Sequence, residues 1–169
     1  MAIADLDDLR GVDLHTFAAS VLFDKTFEEG MALVEETARY LDGRGRQESR
    51  DLSRKAATLY AGESMRVTTR LMQAASWLLV QRAVHEGDMK AEEAAGERYR
   101  LGSKEICLAA RPESADLLPA KLRDLLDRSD NLYRRIARLD DVLFNEAPRS
   151  LGVQAHFSAL EKAFGSNKQ

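Results

Sequence analysis

The three histidines, His15, His85 and His156, are the first side chains to weigh for chemistry, because metal sites inside helical bundles are often built from Glu-x-x-His pairs. None of the three has Glu at that spacing, so each reads as a surface or capping residue. Paired acids occur at Glu28-Glu29, Glu35-Glu36, Glu92-Glu93 and Asp140-Asp141. Adjacent residues on a helix point about 100° apart, so such pairs read as solvated faces rather than shared proton sites. Cys107 sits between Ile106 and Leu108, in apolar company that suits an inert buried thiol rather than a nucleophile. The run Gly43-Arg44-Gly45-Arg46 lacks the remainder of either phosphate-binding glycine fingerprint. Met31, Met65, Met72 and Trp77 fall on apolar helical stripes and read as core. Neither a metal nor a cofactor is expected, and the chain is not expected to be an enzyme.

Charge is the next place to look. The chain carries a net charge of −3, unevenly spread. Residues 1–42 hold three basic and ten acidic side chains, whereas residues 44–70 hold seven basic and three acidic ones. Adjacent rims of the first two helices would attract. The cluster Arg44, Arg46, Arg50, Arg54 and Lys55 also offers a basic surface for an acidic protein partner. Arg134, Arg135 and Arg138 form a smaller group. A pI near 5.7 argues against nucleic acid, whose binders usually lie above about 9.

These residues must be positioned by helices. Proline is confined to Pro112, Pro119 and Pro148, and long stretches of Ala, Leu, Glu and Arg lie between. Hydrophobic residues make up 44% and charged residues 31%, so an all-α fold is expected. A first long helix is expected from an N-cap at Asp13 to a stop at Gly43, with Phe23, Phe27, Met31, Val34, Ala38 and Leu41 as its core stripe. After a basic turn at 44–48, a second should run from about Ser49 to Glu86, stopped by Gly87. It carries two stripes: Val67, Leu71, Ala74, Leu78, and Met65, Thr68, Met72, Ala75, Leu79, Ala83. A surface helix needs only about a 100° apolar stripe, so this one is expected to be covered on two sides. Asp88 can cap a shorter helix to about Leu101, and Ser103 a turn bearing Cys107. A third long helix should start at Pro119 and bury Leu122, Leu125, Ser129, Leu132, Ile136, Leu139 and Leu143.

The expected architecture is a single domain over residues 1–169, with three long antiparallel helices and short accessory ones. Residues 1–12 read as a frayed arm, 13–147 as the bundle, and 148–169 as a short amphipathic helix with a mobile tail. The amphipathic stripe is Val153, Phe157, Leu160 and Phe164, too short to hold itself helical in water. No apolar stretch reaches the roughly 18 residues of a membrane span. The acidic start lacks the basic region of a signal peptide, and one cysteine makes no internal disulfide, so a cytoplasmic protein is expected.

Three blocks resemble a known family. The first is Phe23-Asp24-Lys25-Thr26-Phe27-Glu28-Glu29-Gly30, continuing to Ala38-Arg39-Tyr40-Leu41; the second is Glu63 to Gly87, including Arg66-Val67-Thr68-Thr69-Arg70-Leu71 and Trp77-Leu78-Leu79. The third runs from Leu118-Pro119-Ala120-Lys121-Leu122 through Ser129 and Leu132-Tyr133 to Arg138-Leu139-Asp140. In these the chain resembles the RcdA-like family of alphaproteobacteria, regulators of CtrA degradation. The resemblance implies a helical-bundle adaptor without catalytic residues. Its implied partners are a ClpX-type unfoldase complex of the ClpXP protease, a receiver-domain protein that primes it, and cell-cycle regulators as substrates. The alternative is a structural or homodimeric helical module with no protease partner. Two surfaces are candidates for partner binding: the stripe Val153, Phe157, Leu160 and Phe164, and the basic set Arg44, Arg46, Arg50 and Arg54.

Overall fold

The computed structural model describes residues 20–146. Among them the fold is all-α, with six α-helices and no strand. The three long ones are α1 (Val21–Asp42), α3 (Arg54–Glu86) and α6 (Ala120–Asp141). Shorter ones are α2 (Arg44–Arg50), α4 (Ala91–Ala94) and α5 (Lys104–Cys107). Two 3₁₀ turns, Glu97–Tyr99 and Ala115–Leu117, and a π-helical turn, Val142–Glu146, complete the set.

Local signals fix most boundaries. The Ser20 hydroxyl accepts from the Phe23 N–H at 3.2 Å and caps α1. Asp13, the cap expected from sequence, lies outside the described residues, and α1 takes its cap seven residues later. The basic turn at 44–48 is instead the helix α2, and the start expected at Ser49 moves to α3 at Arg54. Ser53 accounts for this, since its hydroxyl accepts from the Ala56 N–H at 3.3 Å. Gly87 ends α3 at φ 81, the left-handed conformation glycine adopts most readily. The helix expected from Asp88 to Leu101 is only α4 and a 3₁₀ turn, interrupted at Gly96.

The long helices form the bundle, and their pairings set their directions. Gly30 of α1 approaches Leu78 of α3 and Leu132 of α6, while Gly45 beyond the far end of α1 packs on Tyr60 near the start of α3. Thus α1 is antiparallel to α3. It is antiparallel to α6 as well, because Glu36 pairs with Lys121 and Arg128 while the earlier Glu29 pairs with the later Arg135. The remaining two run the same way: Arg70 meets Asp130 and Trp77 meets Asp140. Residues 87–119 make this possible by returning along α3 as a strap. Gly102 N–H donates to Gln73, Arg70 donates to the Cys107 carbonyl, and Arg66 donates to those of Ala109 and Ala110.

Burial confirms the α6 stripe completely. Leu122, Leu125, Ser129, Leu132, Ile136, Leu139 and Leu143 are all buried. On α3 the stripe Val67, Leu71, Ala74, Leu78 is buried too. On α1 Phe23 is buried as expected, and beyond it the expected stripe is displaced by one position. The buried face of α1 is Phe23, Thr26, Gly30, Leu33, Thr37 and Tyr40. Thr26 fits because its hydroxyl donates to the Leu22 carbonyl at 2.8 Å, and Gly30 because a Cβ there would lie 2.8 Å from Leu78 Cδ1. The expected attraction between the α1 and α3 rims is also redirected: the described acids of α1 that pair across helices do so with α6.

Candidate functional site

The second stripe of α3 is not covered as expected. Met65, Met72 and Leu79 are 73%, 65% and 53% exposed. They recur every seven residues and so share one face of the helix. Thr68 lies on that face, and its hydroxyl donates to the Ser64 carbonyl at 2.8 Å, which satisfies its polar group within the helix. Beside this stripe lies the part of α1 expected to be core, with Val34 and Leu41 half-buried and Ala38 exposed. Two stripes that sequence periodicity assigns to the interior thus meet side by side at the surface.

Between them runs a groove of about 180 Å³, lined by Val34, Thr37, Ala38, Leu41, Thr68, Leu71, Met72 and Ala75. No charged side chain lines it. Its floor includes Thr37, 3% exposed, whose hydroxyl has no hydrogen-bond partner among the described residues. Toward the start of α1 a second concavity of about 530 Å³ is bounded by Phe23, Phe27 and Met31, with Asp24, Glu28, Arg82, His85 and Glu86 around it. The Arg82 guanidinium lies 4.7 Å from the Phe27 ring centre and also pairs with Glu86 at 2.9 Å. Such a surface can bury the apolar side of another helix.

The polar residues behind this surface act mostly as braces. Asp140, 1% exposed, accepts from Trp77, from the Arg100 guanidinium in bidentate fashion and from the Leu101 N–H. It is therefore no member of a solvated face, contrary to expectation, whereas its neighbour Asp141 is more exposed and pairs with Lys104 at 3.2 Å and with Arg100 at 4.0 Å. Glu36 lies between Arg128 and Lys121, whose hydrogen bonds pull its carboxyl down to about 2. Burial pushes the Cys107 thiol up, away from a reactive thiolate. Burial also draws the Arg70 guanidinium down from its ordinary value, against the pull of Asp130. Among the described residues no group of three His, Cys, Asp or Glu side chains could hold a metal ion.

Residues 14–164 match the family described as "Protein of unknown function (DUF1465)". The chain belongs to this family. It is similar to RcdA from Caulobacter crescentus CB15, known from a crystal structure, at 56% identity and a TM-score of 0.62, over 74% of this chain and 92% of that one. Among curated proteins none matches. The likeness accords with the RcdA-like family read from the three helical blocks.

In this DUF1465 member the two candidate surfaces read from sequence fare differently. Val153, Phe157, Leu160 and Phe164 lie outside the described residues. Arg44, Arg46, Arg50 and Arg54 gather at the α2–α3 corner, all exposed. Arg44 pairs with Glu48 at 2.7 Å, and Tyr40 donates to the same carboxylate at 2.7 Å. That phenol hydrogen bond is the main cause of the lowered Glu48 carboxyl. Sequence reading missed the apolar groove because it took Met65 and Met72 for core. The usable signal was present: an apolar arc on α3 wider than two neighbouring helices can cover. Among the described residues no helix is long and apolar enough to cross a membrane.

Proposed function

We propose that this protein is a non-enzymatic adaptor of regulated proteolysis that works in the cytoplasm and brings regulatory proteins to a ClpXP-type protease. In this reading the α1–α3 groove is its docking surface. The observation that carries it is the uncharged groove flanked by Met65, Met72 and Leu79, on a chain 56% identical to RcdA. Unbranched methionines adapt to more than one apolar partner, which suits a surface that must hold and release clients. The brace of Asp140, Arg100 and Trp77 holds α3 rigid behind that surface, so little ordering cost falls on binding. The adaptor itself forms no bond to its client; the unfoldase complex supplies the ATP-driven work, and a receiver-domain protein primes it.

A reconstituted assay tests this. ClpX-type unfoldase, its peptidase, the receiver-domain protein and a cell-cycle regulator are combined with and without the adaptor. Faster loss of the regulator with the adaptor, at an unchanged rate for an unrelated ClpXP substrate, is the expected result. Equal rates with and without it reject the adaptor role.

The second reading is a homodimeric helical module. The seven-residue recurrence of Met65, Met72 and Leu79 favours it, because that spacing also forms helix-pairing seams. Sedimentation at micromolar concentration separates the two: a monomer favours the adaptor reading, and a dimer lost on Met72→Asp favours the module.

A further inference from the structure

We propose that the α1–α3 groove is occupied in cis by the chain's own segment Val153–Phe164, which any partner using that face must displace. This goes beyond the adaptor reading, because it names a resident for the groove whichever partner follows.

Position supports it first. The described chain ends just after α6, and the Trp77–Asp140 hydrogen bond, 2.9 Å long, sets that end level with Leu79 along the bundle, with the width of α3 between it and the exposed stripe. Six residues, 147–152, then separate the end of the described chain from Val153, and six extended residues reach about 20 Å. That exceeds the width of one helix, about 10 Å, which is what the chain must cross to pass from α6 to the groove.

Dimensions agree as well. Twelve helical residues measure about 18 Å, and the stripe from Met65 to Leu79 about 21 Å, at 1.5 Å per residue. The segment's apolar face, Val153, Phe157, Leu160 and Phe164, has the helical spacing needed to lie along such a groove. The concavity bounded by Phe23, Phe27 and Met31 continues the apolar track at the same end of the bundle.

Charge points the same way. Residues 147–169 contain Arg149, Lys162 and Lys168 against Glu161 alone. The concavity on this track carries the acids Asp24, Glu28 and Glu86 against the single base Arg82. A mildly basic segment meets a mildly acidic rim.

The test places a nitroxide on the groove edge of the full-length chain through Ser76→Cys, since Ser76 is exposed and Cys107 is buried away from the label. Amide signals of residues 153–164 are compared with the nitroxide oxidised and reduced. The account expects their intensities to fall at least threefold, and to recover in a chain also carrying Phe157→Ser and Phe164→Ser. In a mixture of isotope-labelled chain lacking nitroxide with unlabelled chain bearing it, they should stay unchanged. Unbroadened signals in the first sample would overturn the proposal. So would broadening in the mixture, which would assign the groove to a second copy, or broadening that survives loss of both phenylalanines.

Discussion

The indole N–H of Trp77 donates to a carboxylate oxygen of Asp140 at 2.9 Å, joining residues 63 apart in the chain. Through the same carboxylate, α3 and α6 are tied to Arg100 and Leu101 of the strap. One aspartate therefore fixes three parts of the molecule whose mutual placement leaves the Met72 face outward.

Removing either partner should show the strength of that tie. Trp77→Ala empties a fully packed site and should lower stability by about 3–5 kcal/mol. Asp140→Ala removes the buried carboxylate that the Arg100 guanidinium and the indole N–H share, with a loss of about 3–5 kcal/mol. Trp77→Phe keeps most of the ring and should cost clearly less than Trp77→Ala. Urea denaturation measures all three; equal losses for Trp77→Phe and Trp77→Ala would place the whole effect in the hydrogen bond.

Glu36 predicts an acid-sensitive contact between α1 and α6. Its carboxyl is lowered from 4.5 to about 2 by Arg128 and Lys121, so the folded state favours the ionised form. A depressed carboxyl contributes stability above its unfolded value and loses it as pH falls toward its folded value. The contribution is therefore full above about pH 5 and fades between 4.5 and 2. Glu36→Gln should flatten that part of the stability–pH curve and leave its shape near pH 7 intact. An unchanged acid limb would remove Glu36 from the contact.

Gln81 offers the opposite kind of test. It is 0% exposed, and neither its amide nitrogen nor its oxygen has a hydrogen-bond partner among the described residues. Burying an unpaired carboxamide costs about 1–3 kcal/mol. Gln81→Met has similar volume and should raise the melting temperature, with a gain of about 1 kcal/mol. A fall would reveal a polar partner for the side chain.

Gly45 anchors the basic corner. A Cβ there would lie 2.7 Å from both the Tyr40 ring and the Tyr60 hydroxyl, neither of which is a flexible chain end. Gly45→Ala gains helix propensity of up to about 1 kcal/mol but should lose more by pushing α2 off those rings, by about 1–3 kcal/mol. Amide exchange should then speed up in Arg44–Arg50 before it does in α6. Uniform exchange across both would contradict a local docking of α2.

The fold was readable where an apolar stripe is covered along its whole length by neighbouring helices. The α6 stripe lies between α1 and α3 and is uniformly apolar except Ser129, whose hydroxyl donates to the Leu126 carbonyl at 3.0 Å. The face of α1 was misplaced because close helix approach there selects Thr26, Gly30 and Thr37, which carry little hydrophobic signal. The strap was hidden for a related reason: it covers the side of α3 that buries Glu63 and Arg70, charged residues that periodicity assigns to solvent. The groove is the complement of both errors, since apolar residues displaced from the core must appear outside it.

If the outward apolar face binds protein, client degradation should respond to a variant of that face. Met72→Asp with Leu79→Asp changes two residues that are 65% and 53% exposed, so stability should hold within about 1 kcal/mol. In the reconstituted assay with the unfoldase, peptidase and receiver-domain protein, the account predicts that this folded variant slows loss of the client to the adaptor-free rate. The basic-corner variant Arg50→Ala should keep at least half of the stimulation. Full stimulation by the folded double variant would contradict the account.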